Sequence, residues 1–239
     1  MKTSRRRIYD FVNNTWNPVV GCTHNCVYCW SRKLAATRLR RYSQYENGFR
    51  PTLVESKLRF VGRNKCTFVS DMGDLFCDAV PHEWISRVLE IARSAHPSNV
   101  WFFETKNPRR FNEFIAEFPK KSILSASIES NINHRLSGAP APVSRYNAMK
   151  KVNWHMKHVA IEPILEFDFD TLVAWIKSLN LYAVTIGWNN PSDYSGPLPE
   201  PSFQKVERLR VELQKFVDVR MKLNHEKRRK TCLKGGEKK

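Results

Sequence analysis

The sequence predicts an α/β fold built on a parallel sheet. From position 66 onward, short β-branched runs alternate with segments whose apolar residues recur at spacings of three and four. Strands that alternate with helices of ~10–15 residues form βαβ units. Polar or special residues also stand where five runs end: Asp71-Met72-Gly73-Asp74, Glu104-Thr105-Lys106, Glu129-Ser130-Asn131, Glu162-Pro163 and Gly187-Trp188-Asn189. The carboxyl edge of a parallel sheet is where such folds bind ligands.

The elements follow in order. TWNPVV (15–20) is read as a first strand and CTFVSD (66–71) as the next, followed by a helix whose apolar face is Ile85, Val88, Leu89 and Ala92. NVWFFET (99–105) precedes a helix that buries Phe111, Phe114, Ile115 and Phe118. ILSASIE (123–129) and HVAIEPIL (158–165) are two more strands, with GAPAP (138–142) marking a loop before a short helix. Leu172, Trp175, Ile176 and Leu179 share a helical face. The strand YAVTIGW (182–188) leads to a helix with Phe203, Val206, Leu209 and Leu213, and VDVRMKL (217–223) is a last strand. That makes six or seven strands in one domain (15–224), between a basic N-terminal extension (1–14) and a flexible basic tail (225–239).

The 239 residues suffice for one sizeable core, and 41% hydrophobic and 12% aromatic content is too rich for disorder. No apolar run reaches membrane-spanning length and no secretory leader is evident, so a cytoplasmic protein without membrane contact is expected. The net charge of +17 is unevenly spread. Residues 1–66 hold 14 basic and 3 acidic side chains, residues 67–219 hold 17 and 18, and residues 220–239 hold 9 and 2. Basic ends around a neutral middle suit a polyanionic partner, most often nucleic acid.

Six cysteines stand at 22, 26, 29, 66, 77 and 232, three of them within GCTHNCVYCW (21–30). The scatter of the others argues against a disulfide framework and for a reducing compartment. A Cys-x3-Cys-x2-Cys loop can point three thiolates at three irons of a [4Fe–4S] cube and leave the fourth iron open. Zinc is the competing reading, with His24 or a distant histidine as fourth ligand, but closing a tetrahedron within so short a loop is awkward. Cys66 and Cys232 are read as structural.

The spacing, with aromatic Tyr28 just before the third cysteine, resembles the radical S-adenosylmethionine (SAM) superfamily. TWNPVVGCTHNCVYCW, SDMGDLF, ETKNPRRF, IEPIL and VTIGWNNP occur in the order seen in a phage- and mobile-element-associated group within it, generally described only as a domain of unknown function. The likeness covers roughly residues 13–224, and the group is more distantly similar to spore photoproduct lyase. The resemblance implies a partial (β/α)6 TIM-like barrel, here with room for a seventh strand. It implies one [4Fe–4S] cluster on Cys22, Cys26 and Cys29. SAM would bind the open iron and be cleaved to methionine and a 5′-deoxyadenosyl radical, with an electron donor such as a ferredoxin or flavodoxin.

Further roles are placed by position. Lys106, or alternatively Arg135, is the candidate for the SAM carboxylate. The superfamily's Gly-Gly-Glu-like turn is replaced by Ser70-Asp71-Met72-Gly73-Asp74, leaving Ser70, Asp71 or Asp74 as the ammonium acceptor; the two aspartates could instead cap the helix beginning near Pro81. Ser127, Glu129 and Asn131 are ribose candidates, Tyr28 lies by the adenine, and Glu162 needs a rim cation or a ligand. Cys77 is a possible thiol hydrogen donor. Arg32, Lys33, Arg38, Arg40 and Arg41, on a helix beginning at Trp30, join Arg109 and Arg110 as candidate nucleic-acid contacts, with Arg5, Arg6, Arg7 and the tail segment EKRRK (226–230) beyond them.

The function expected is therefore a radical SAM enzyme that modifies or repairs a base or sugar of nucleic acid. The alternatives are the same chemistry on a nucleotide-derived metabolite or a protein, or a non-catalytic iron–sulfur protein that binds nucleic acid. A chain this short has few insertions to close a barrel, so a large substrate or a partner protein is expected to act as the lid.

Overall fold

A computed structural model describes residues 9–60, 62–190 and 196–222. Its elements are β1 (Asn14–Trp16), β2 (Val19–Val20), α1 (Trp30–Ala36), β3 (Thr52–Leu53), β4 (Cys66–Val69), α2 (His82–Ser94), β5 (Val100–Thr105), β6 (Ser122–Ser127), α3 (Pro142–Lys151), β7 (Lys157–Ile161), α4 (Phe169–Ser178), β8 (Ala183–Ile186), α5 (Phe203–Leu213) and β9 (Asp218–Met221). Seven strands form one parallel sheet in the order β1-β4-β5-β6-β7-β8-β9, and β2 pairs with β3 in a separate antiparallel ribbon.

The order along the sheet repeats the order along the chain, as it must when each helix carries the strand over to the next position on the same face. Ile85, Val88, Leu89 and Ala92 of α2 are all buried, as are Leu172 and Ile176 of α4 and Val206, Leu209 and Leu213 of α5. They meet Trp101, Phe103, Leu124, Val159, Ile161, Val184 and Ile186 on one face of the sheet in a single large core. Each such buried aliphatic side chain contributes ~1.5–3 kcal/mol by removal from water, an upper figure because the unfolded chain hides some of it.

Alternate residues of the same strands face the other way, and that face is concave. Tyr9, which enters before β1, touches Phe68 of β4, Phe102 of β5, His158 of β7 and Lys222 just beyond β9. On a flat sheet β5 and β9 would lie roughly 19 Å apart, four spacings of about 4.8 Å. One phenol ring reaching both means that the sheet curls into the expected partial barrel. Tyr9 and Val12, with Phe68, Phe102, Ile123 and Ala160, plug its base.

Three local expectations differ from the structure. The run at 15–20 splits into β1 and β2 because Pro18 has no N–H for a ladder, and β2 turns away to pair with β3. The segment after β5 is a 3₁₀ helix, Pro108–Phe114, whose three-residue turn stacks Phe111 and Phe114 on one buried side, leaving Ile115 only half-buried. The helix from Trp30 ends at Ala36, so Arg38, Arg40 and Arg41 lie in the turns beyond it. Arg5, Arg6, Arg7, Cys232 and the tail from 225 fall outside the described residues.

Gly21 is the point where the chain leaves the sheet. Its φ is +78°, and a Cβ there would fall inside van der Waals contact of the Arg50 carbonyl oxygen. Gly21→Ala is therefore expected to lower the unfolding free energy by about 3 kcal/mol, read from urea denaturation, and alanine at Gly48 by only about 1 kcal/mol, since its φ of +75° is strained but its Cβ would meet nothing.

Candidate active site

Residues 21–29 form a loop at the carboxyl ends of β1 and β4, held almost entirely by backbone bonds. The Cys22 N–H donates to the Phe49 carbonyl (3.0 Å), Val27 N–H to Leu136 O (3.0 Å) and Gly138 N–H to His24 O (2.6 Å). Cys29 caps α1, its Sγ accepting the Arg32 N–H at 3.3 Å. The Arg32 guanidinium folds back onto the Cys26 carbonyl (2.8 Å) and the Asn25 side chain. The sulfur of Cys26 is 3.1 Å from the Ser137 hydroxyl. All three cysteines are free thiols. Burial pushes the thiols of Cys22 and Cys29 upward; the Asp74 charge adds to the effect at Cys22, and the Arg32 N–H opposes it at Cys29. They stay neutral until a metal charge displaces their protons.

This donor set fits a cluster better than a single ion. Among the described residues no three His, Cys, Asp or Glu side chains converge to hold one metal ion. His24, the nearby fourth ligand a zinc site would recruit, is committed to Asp74 at 2.8 Å. A cubic cluster asks instead for three separate thiolates, each on its own iron.

Asp74 fastens the loop to the sheet. Its buried carboxylate accepts from His24, Thr105 Oγ1 (2.9 Å), Lys106 N–H (2.9 Å) and Phe76 N–H (2.9 Å). Burial alone would raise its pKa, but His24 and these donors hold the carboxyl below its usual range. It does not cap α2, and nor does Asp71, which accepts from Asn17 Nδ2 at 2.5 Å.

Glu129, just past β6, is the second buried anion. Tyr28 Oη donates to one oxygen at 2.7 Å and Lys106 Nζ pairs with the same atom; Arg145 Nη1 reaches the other at 2.5 Å. The Lys106 ammonium also sits over the Tyr28 ring, 5.5 Å from its centroid. Burial would raise Glu129, yet Arg145 and Lys106 outweigh it and bring the carboxyl down to about 2. Lys106 is pulled down by burial and held above its ordinary value by Glu129. Two cations thus share one carboxylate, leaving one positive charge beside Cys26.

Deeper in the barrel, Glu104 accepts from Tyr9 Oη and from Ser127 Oγ (3.2 Å). His158 bridges Ser125 and Thr185 at 2.8 and 2.9 Å; burial, with Arg220 and Lys222, pushes its pKa to about 3, so the ring is neutral. Burial raises Glu104. Glu162 pairs with Lys222 at 2.5 Å, in room left by Gly187, whose Cβ would come within 2.9 Å of the Glu162 carboxyl. Ser70 follows β4 at φ +59° with a buried hydroxyl that has no hydrogen-bond partner among the described residues.

The candidates named from sequence sort accordingly. Cys22, Cys26, Cys29, Tyr28, Ser70, Asp74, Lys106, Ser127 and Glu129 gather around the loop and the ends of β4, β5 and β6. Arg135 is exposed and lines a shallow recess with Tyr28 and Glu129. Asn131 is turned away, its Oδ1 accepting the Asp168 N–H (3.0 Å) ahead of α4. Cys77 is wholly buried behind the cysteine loop among core side chains, not presented as a donor to a substrate. Arg110 is buried on the Cys77 and Val80 carbonyls (2.8 Å each) and Arg32 clamps the loop, so neither is offered to a polyanion, whereas Arg109 is exposed in surface pairs with Asp78 and Glu113. Arg145, Tyr9, Glu104, His158 and Lys222 were not anticipated. Glu104, Ser125, Ser127, His158 and Thr185 were detectable as polar residues at inward positions of otherwise apolar strands; Arg145 and Tyr9 carry no local signal.

A family model described as "Protein of unknown function (DUF5131)" matches residues 7–183. No curated protein matches the chain. Among solved structures, the fold is similar to spore photoproduct lyase complexed with dinucleoside spore photoproduct, at 12% identity and a TM-score of 0.58 over 84% of this chain and 74% of that one. A variant of that lyase with bound AdoMet and dinucleoside spore photoproduct aligns at 12% identity and 0.56 over 86% and 75%, and a variant with one cysteine replaced by serine at 12% and 0.56 over 92% and 79%. At such identity the likeness establishes the fold.

Neutralising Glu129 strands two buried cations. Glu129→Gln is expected to cost about 3 kcal/mol at pH 7. Because the folded-state pKa lies below the unfolded one, wild type holds this advantage above ~pH 4.5 and loses it as the pH falls toward 2. Paired thermal melts of both proteins at pH 7, 4.5 and 3.5 check the narrowing gap.

Proposed function

The chain belongs to the DUF5131 family, and we propose that it is a radical SAM enzyme acting on a base or sugar of nucleic acid. The observation that carries the reading is the loop of three free thiols at the carboxyl ends of a partial barrel, whose Tyr28 is bonded to the buried carboxylate that two cations share. A fold similar to a lyase whose variant is solved with AdoMet bound supports it. When bound to Cys22, Cys26 and Cys29, a [4Fe–4S] cluster would supply one-electron reduction of SAM at its open iron, releasing methionine and a 5′-deoxyadenosyl radical.

The chain's own residues have separate tasks. Lys106 and Arg145 carry one positive charge more than Glu129 balances, which suits the carboxylate of SAM. Ser70 offers an unused hydroxyl to its ammonium. Asp74, already satisfied by four donors, keeps the loop in place, and Asp71 is engaged by Asn17; that leaves Ser70 the better acceptor of the three. Tyr28 is fixed by its bond to Glu129, with its backbone beside the third thiol. Tyr9, Val12 and Phe102 close the base of the barrel and keep water out from below. Glu104, Ser127, Glu162 and Lys222 line the concave face and supply both donors and acceptors for a polar ring.

Nucleic acid is favoured as substrate by the excess charge at the two ends of the chain. A target nucleotide would have to be single-stranded or flipped to reach the concave face.

After anaerobic reconstitution, about four irons and four sulfides per chain are expected. Dithionite and SAM are then expected to give 5′-deoxyadenosine, more of it with the right nucleic acid. Cys26→Ala should lose both cluster and product, whereas Lys106→Ala should keep the cluster and lose ten-fold or more in product formation. A cluster that never cleaves SAM in any of these conditions would rule out the catalytic reading.

A further inference from the structure

Between α1 and β3 the chain makes a turn-rich excursion, residues 37–51, with a two-sided character. Its inner side is a small core of its own: Tyr45 is buried with Val20, Ala35 and Met72, and Trp30, Leu34, Leu39, Phe49 and Val54 pack against them. This core is separate from the main one and fixes the excursion to the cysteine loop. Phe49 accepts the Cys22 N–H, and the Arg50 carbonyl abuts Gly21.

Its outer side carries Arg38, Arg40, Arg41 and Arg50, all exposed, with Glu46 as the one acidic residue and no lysine. None of these four arginines makes an ion pair among the described residues, as is also true of Arg59, Arg63, Arg93, Arg135 and Arg208; what sets the four apart is that they crowd one short excursion. Tyr42 is 44% exposed among them, and the Arg41 guanidinium lies 5.4 Å from its ring centroid. Arg50, Asn47, Pro51 and Thr52 line a shallow depression beside the loop. Four like charges set close together without counter-ions raise the local positive potential, which draws an anion to this surface.

We propose that this excursion is a docking platform for the phosphate backbone of single-stranded nucleic acid, laying the strand across the barrel mouth next to the cysteine loop. Guanidinium groups meet phosphate oxygens in a planar, two-point geometry that ammonium groups lack. An exposed tyrosine between them offers a base a face to stack on, the combination found where single strands are bound without sequence preference. An acidic protein segment would use the charges but leave the ring idle. The proposal rests on nucleic acid being the substrate, and names the surface that receives it.

The test is fluorescence anisotropy of a labelled 20-nucleotide single-stranded DNA, and its RNA counterpart, at several salt concentrations. Wild type is compared with a variant carrying Arg38→Gln, Arg40→Gln, Arg41→Gln and Arg50→Gln. A control variant carries four neutralisations on outer surfaces: Arg93→Gln, Lys150→Gln, Lys177→Gln and Lys215→Gln. Thermal melts establish that each is folded. Loss of four phosphate contacts on single strands lowers the slope of log K against log salt by about 3 and weakens binding at 0.1 M salt by at least ~100-fold. The control should change affinity by less than about three-fold. If the platform variant binds as wild type does, or the control falls as far, the platform is wrong while the nucleic-acid reading stands. Failure of wild type to bind either strand at 50 mM salt overturns both, and deoxyadenosine formation without nucleic acid then still decides the radical chemistry. Polyglutamate binding as tightly as the oligonucleotides would assign the surface to an acidic protein instead.

Discussion

One buried carboxylate holds the site to the fold. Asp74 takes donors from the cysteine loop (His24), from the end of β5 (Thr105 and the Lys106 N–H) and from its own turn (Phe76 N–H), all within 2.9 Å. Hydrogen bonds to a charged acceptor are worth ~1.5–3 kcal/mol each, and their geometry depends on the acceptor staying ionised. The loop between Gly21 and Cys29 is otherwise fixed by backbone bonds to neighbouring turns, by Arg32 on the Cys26 carbonyl and by Tyr28 on Glu129, none of which ties it to β5. Asp74 therefore sets where the three sulfurs lie relative to Lys106, and through Lys106 relative to Glu129 and Arg145.

A second constraint follows from charge. Among the described residues of the barrel mouth, Glu129 is held by Lys106 and Arg145, Glu162 by Lys222, Glu104 by the hydroxyls of Tyr9 and Ser127, and Asp74 by its four donors. Unpaired, any one of them would be too costly to bury. Paired as they are, they leave a polar concave face above an aromatic floor of Tyr9, Phe68 and Phe102. The unpaired arginines of residues 38–50 stand in contrast: they are exposed, so leaving them without partners costs little in water and keeps them available.

Much of this was legible in the sequence, for definite reasons. Helical faces such as Ile85, Val88, Leu89 and Ala92 declare themselves because burial on one side of a helix imposes a local period. Cys22, Cys26 and Cys29 are legible because three thiols lie within eight residues. Lys106 and Glu129 were found through their position at strand ends. Arg145 was not, since its partner is 16 residues away on another element, and neither was Tyr9, whose carboxylate is 95 residues away. Charge alone does not tell which way a side chain points: Arg32 and Arg110 looked like a basic surface and prove to be braces, one for the cysteine loop and one for the turn around Cys77. Pro18 and Pro108 were visible as residues, but the split strand and the 3₁₀ helix they help to shape depend on what the neighbouring segments pair with.

The central claim is that the three thiols present an iron to which SAM itself binds. Electron paramagnetic resonance of the reduced, reconstituted protein, recorded with and without SAM, tests it most directly. The account predicts the spectrum of a reduced [4Fe–4S] cluster whose g values and line shape change when SAM is added. A spectrum indifferent to SAM, or a protein that takes up zinc and shows no cluster signal, would contradict it.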